Sequence, residues 1–73
     1  MTFRFANRKA TKISDIGLFK NLQELDLSGN LLKEQVQDLF ALNFLKRLNL
    51  SNNSIEHPWA VPPSIEILNL SYN

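Results

Sequence analysis

The sequence predicts an α/β solenoid, a stack of short parallel strands backed by irregular connecting segments, and three observations predict it. The pattern L-x-x-L-x-L-x-x-N-x-L starts at Leu22 and again at Leu45, and a third copy starting at Ile65 runs as far as Asn73. The copies stand 23 and 20 residues apart, the period of an array whose units stack and bury one continuous core. Within each copy the two leucines of L-x-L project to one face and the residue between them to the other, the period-2 signature of a strand.

The strands come first. Counting back 22 residues from Leu22 uncovers a degenerate first unit, with Phe3 and Phe5 in the strand slots and Ile13, Ile16 and Phe19 in the later apolar slots. Arg8 takes its asparagine slot and Ala10 the apolar slot after it, so five of seven positions match. The chain therefore reads as a single domain with units near 1–21, 22–44, 45–64 and 65–73. Strands are expected around Phe3–Phe5, Leu25–Leu27, Leu48–Leu50 and Leu68–Leu70, stacked about 4.8 Å apart. Leu22, Leu45 and Ile65 should close the inner face just before each strand.

The turns come next. A carboxamide offers two donors and an acceptor, so Asn30, Asn53 and Asn73 are expected to bond the turn backbone of their own and the neighbouring unit. Losing one such residue leaves buried backbone groups unpaired, at about 1–3 kcal/mol each. Arg8 cannot do this in a dry turn, so the first turn should be looser or more exposed.

The backing segments differ from one another. Ile13, Ile16 and Phe19 at three-residue steps suit a 3₁₀ or single helical turn. The stretch from Glu34 to Leu42 has i, i+3, i+4 apolar spacing without a breaker, which predicts a short helix with Val36, Leu39 and Phe40 inward. Between His57 and Pro63 three prolines remove donors and favour extended backbone, with Trp59 and Val61 plugging the core.

Composition sets outer bounds. Seventy-three residues make one small domain, and cores of this size rarely supply more than about 3–5 kcal/mol. There is no cysteine, hence no disulfide and no thiolate metal site. That favours a cytoplasmic setting, with an extracellular one open if the chain is part of a longer secreted or receptor protein. The N-terminal stretch, interrupted by Arg4, does not read as a secretory signal, and no apolar run approaches the roughly 20 residues of a membrane span. Residues 1–20 carry a net +4 and the rest −3. The basic side chains lie at loop-like spacings without interleaved aromatics, which reads as a solvated end and not a nucleic-acid site.

These residues resemble the leucine-rich repeat family over essentially the whole chain. The stretch from Ile13 to Leu22 is similar to the 22-residue class of cytosolic phosphatase regulators and internalins. The strand phrases at Leu48–Asn53 and Leu68–Asn73 equally resemble extracellular receptors and insect immune proteins. The resemblance implies a horseshoe segment with its four-stranded parallel sheet on the concave face and short helix, 3₁₀ and extended pieces on the convex face. It also implies a non-enzymatic protein-binding module.

On that architecture the residues flanking the inward leucines face a partner. Arg4, Asp26, Asn49 and Asn69 stand between them, and Thr2, Glu24, Arg47 and Ile67 stand just before. With Tyr72 beyond the last strand, the candidate contact residues are Arg4, Glu24, Asp26, Arg47, Asn49, Ile67, Asn69 and Tyr72. The pairs Arg4–Asp26, Glu24–Arg47 and Lys46–Glu66 fall on adjacent strands and equally read as cross-strand stabilisers of about 0.2–1 kcal/mol. Sequons at Asn49, Asn52 and Asn69 would accept glycan in a secreted protein, and the phrase L-N-L-S also generates them by repetition.

Catalysis has little to work with. His57 is the lone histidine, in a loop before Pro58. Glu24 and Asp26 alternate with Arg4 and Arg47 and so are not a raised-pKa pair. The two glycines make no phosphate-cradling loop, and no metal-ligand cluster occurs. No cofactor, metal or nucleic acid is expected. The function classes left are a protein-recognition module and a structural spacer within a larger array. The open apolar edges predict a fragment of such an array, or end-to-end self-association.

Overall fold

The computed structural model describes residues 1–73. Four three-residue strands form one sheet in sequence order: β1 (Thr2–Arg4), β2 (Glu24–Asp26), β3 (Arg47–Asn49) and β4 (Ile67–Asn69). All pairings are parallel, and the first inward residue of each unit stays in register, Phe3 with Leu25, Leu25 with Leu48, and Leu48 with Leu68. The strands centre on this residue, one position earlier than the L-x-L spacing predicts. The second leucine still joins the ladder from just outside: the amides of Phe5, Leu27 and Leu50 donate to Asp26, Asn49 and Asn69 carbonyls at 2.8–2.9 Å. Such one-residue shifts are ordinary at the ends of short elements.

The core lies between the sheet and the backing segments. Leu22, Leu25, Leu27, Leu45, Leu48 and Leu50 enter from the sheet side, and Ile16, Leu32, Val36, Leu39 and Leu42 complete the cluster. Parallel strands cannot be joined by a tight hairpin, so each connection crosses the back of the core and must bring its own apolar residues.

Two backing segments contain short 3₁₀ turns, Ile16–Leu18 and Leu39–Ala41. The first matches the sequence-based expectation; the second corrects it. No longer helix spans Glu34 to Leu42, and Phe40 points out, 57% exposed. Asp38 immediately precedes the turn in the left-handed region, φ 66°, which stops a helix from propagating through it. A three-residue period then aligns Leu39 with Leu42 toward the core and sends Phe40 to solvent. The neighbouring turn fits tightly over this one, since a Cβ at Gly17 would lie 2.8 Å from that of Asp38.

The asparagine ladder forms. Asn30 Oδ1 accepts from the Arg8 and Ala10 amides at 3.0 and 3.1 Å, and its Nδ2 donates to the Phe5 and Leu27 carbonyls at 2.8 and 3.0 Å. Asn53 joins Leu32, Leu27 and Leu50 in the same way, and Asn73 joins Ile55, Leu50 and Leu70. Arg8 contributes only its backbone; its guanidinium leaves the turn and lies 5.0 Å over the Phe5 ring. That first turn holds two positive-φ residues, Asn7 at 57° and Lys9 at 54°.

The proline-rich segment runs as an extended chord. Trp59 and Val61 pack half-buried against the core, and Pro62 is fully buried. A glutamine pins the chord: Gln35 Oε1 accepts from the Ala60 amide at 2.7 Å and its Nε2 donates to the Ala60 carbonyl at 3.1 Å. Proline supplies no amide of its own, so this two-point clamp replaces ladder bonds that the chord cannot make.

Candidate concave recognition face

Side chains between and before the inward leucines alternate to the outer face of the sheet, and the sheet presents them across a shallow hollow. Ten residues line this depression of about 260 Å³: Thr2, Arg4, Glu24, Leu25, Asp26, Arg47, Leu48, Asn49, Ile67 and Asn69. Seven of the eight residues singled out by sequence are therefore brought together. Tyr72 is not. It sits in the turn after β4, 81% exposed and at φ 58°, in the same turn slot as Asn7, Gly29 and Asn52. All four of these residues take positive φ, a conformation that glycine adopts freely and asparagine tolerates. The side chain of Tyr72 stands off the hollow because the turn has already left the strand.

The column between the leucines has a local duty that spacing alone did not reveal. Asp26 Oδ1 accepts from the Ser28 amide at 2.9 Å and the Ser28 hydroxyl at 2.6 Å. Asn49 does the same with Ser51, at 3.0 and 2.7 Å, and Asn69 with Ser71, at 3.0 and 2.7 Å. Each is a side chain bonding its own backbone two residues on, the turn that Asp and Asn favour. The serine of the repeat phrase is thus fixed by turn chemistry, which by itself accounts for the sequons at Asn49 and Asn69. Only the acceptor oxygen is used. Nδ2 of Asn49 and of Asn69 donates to nothing within the chain and remains available to a partner.

This turn also decides the charge pairing. Of the three expected cross-strand pairs, only Arg47–Glu24 forms, at 3.4 Å with both side chains well exposed. The Ser28 bonds take Oδ1 of Asp26, and Arg4 makes no ion pair with its carboxylate although the two share a register position. Lys46 and Glu66 do not pair either; instead Lys33 and Glu56 meet at 3.7 Å away from the sheet. An exposed pair of this kind is worth less than about 1 kcal/mol. Opening the Arg47–Glu24 pair therefore costs the fold little.

No group of three or more His, Cys, Asp or Glu side chains stands close enough to hold a metal ion. No helix is long and apolar enough to cross a membrane.

With this geometry in place, the Leucine Rich Repeat family profile matches residues 21–42 and 44–63. The chain belongs to the leucine-rich repeat family. It is 49% identical over 43 residues to a leucine-rich repeat receptor-like protein kinase of Arabidopsis thaliana. That stretch covers 59% of this chain and 6% of the kinase. Against mimecan of Homo sapiens it is 31% identical over 71 residues, 96% of this chain and 24% of mimecan, and mimecan of Bos taurus matches to the same extent. The chain thus spans about a quarter or less of the length of these relatives. No solved structure matches it. Domains of this family generally mediate protein–protein interaction and are generally not catalytic. The cytoplasmic expectation finds no support among these relatives, one of which is named as receptor-like.

Proposed function

We propose that this chain is a non-enzymatic recognition segment that meets a protein partner through the hollow of β1–β4, in an extracellular setting of the kind a receptor-like relative implies. The observation that carries the reading is the pair of uncommitted amide donors, Asn49 Nδ2 and Asn69 Nδ2, beside two exposed arginines in one depression. Fold maintenance needs only the oxygen of each asparagine, as Asp26 demonstrates in the same slot. A double substitution, Asn49→Asp with Asn69→Asp, keeps the turns and removes the donors. It should lower the melting temperature modestly, because three carboxylates then stand in register on β2–β4, and weaken capture of the native partner by at least tenfold. Leu18→Ser and Phe40→Ser, exposed on the backing turns, should leave capture intact. Full retention of the partner by the double variant would overturn the reading and return the segment to a spacer role.

A further inference from the structure

The hollow is not uniform along the stack. At β1 it offers Arg4, an exposed guanidinium that makes no ion pair, its register neighbour Asp26 being bonded through Oδ1 to Ser28. At β3 it offers the free amide of Asn49, and at β4 it offers the free amide of Asn69 and the apolar side chain of Ile67, 54% exposed. Arg47 is already answered by Glu24. From these observations we infer the chemistry of the partner: an extended protein segment that lays a carboxylate on Arg4 and an apolar side chain on Ile67, with its backbone carbonyls toward the asparagine amides.

The inference rests on the concave-face reading and adds a spacing to it. Three inter-strand steps and a two-residue offset along the strands separate Arg4 on β1 from Ile67 on β4, about 16 Å between backbone positions at a strand separation of 4.8 Å. The long arginine side chain takes up the last few ångströms to the partner carboxylate. An extended chain covers about 13 Å in four residues, and side chains four apart lie on the same side of it. The matching motif is therefore an Asp or Glu four residues from a Leu, Ile or Phe, on a segment that crosses the strands. Glu24 and Asp26 sit in the same hollow. With Arg4 and Arg47 they leave the hollow without net charge, so it lacks the basic surplus that a phosphate backbone needs, and a single peptide carboxylate is the group left to answer Arg4. A charge-assisted contact that binding shields from water is worth about tenfold in affinity.

A displayed library of random twelve-residue peptides, selected on the immobilised 73-residue chain, tests this. Enrichment of an acidic residue four positions from an apolar one is expected, in either chain direction. Synthetic versions should bind Arg4→Gln and Ile67→Ser about tenfold more weakly than the parent, with circular dichroism of both variants unchanged. Selection on Arg4→Glu should exchange the acid for Lys or Arg. Peptides that lack the acid–apolar pair yet bind more weakly to the Asn49→Asp, Asn69→Asp variant would overturn this inference and leave the concave-face reading intact. Peptides indifferent to every one of these substitutions, or no enrichment at all, would overturn both.

Discussion

Leu48 and Leu68 fill the same slot of the same phrase one strand apart, yet Leu48 is 1% exposed and Leu68 is 39% exposed. Nothing in the local sequence separates them. Leu48 has a strand on each side and Leu68 on one, so a leucine in a solenoid is worth what its neighbours allow. The opposite end of the stack shows another arrangement. There Phe3, Phe5 and Phe19 stack with ring centroids 5.6–6.2 Å apart and planes within 14°, and they cover the inward leucine row with aromatic area.

The contrast between interior and edge breaks most visibly at the leucines. Leu48→Ala should cost about 2–5 kcal/mol, comparable to the whole stability of a core this size, so circular dichroism should find it unfolded at room temperature. Leu68→Ala should cost less than half as much and stay folded. Equal losses would show that exposure at β4 does not reduce the value of the slot. The ladder comes second. Asn30 bridges buried groups of two units, and Asn30→Ala should lower stability by about 2–3 kcal/mol in urea titration. Asn73 bonds two exposed groups that water can satisfy and one part-buried carbonyl, that of Leu50, so Asn73→Ala should cost about 1 kcal/mol, less than Asn30→Ala. Gln35→Ala, which releases the chord at Ala60, should cost about 1 kcal/mol and speed amide exchange at Ala60 specifically. Arg47→Ala, the smallest, should move the denaturation midpoint by no more than about 0.5 kcal/mol, because its pair with Glu24 is exposed.

Much of this was readable in the residues. Period-2 leucines fix strand faces whatever their context, and a buried turn that needs donors and an acceptor at one point selects asparagine. The positions of Asn30, Asn53 and Asn73 therefore announced the ladder. The backing segment was less legible, because α and 3₁₀ periods differ little over nine residues. The left-handed Asp38 and the close approach of Gly17, both products of stacking, decided against a longer helix and turned Phe40 outward. In the hollow, proximity suggested Arg4 with Asp26, but that pair does not form; Asp26 bonds Ser28 through Oδ1 instead, a turn bond that charge patterning does not announce. Type and exposure pointed to Tyr72 as an anchor, but its place in a turn keeps it outside the depression.

The central claim is that recognition belongs to the sheet face and not to the backing turns. Its most direct measurement places a photo-reactive side chain at position 47 in one variant and at position 40 in another, then compares covalent capture of the native partner. The account predicts a partner adduct from position 47 and none from position 40. An adduct from position 40 alone would contradict it.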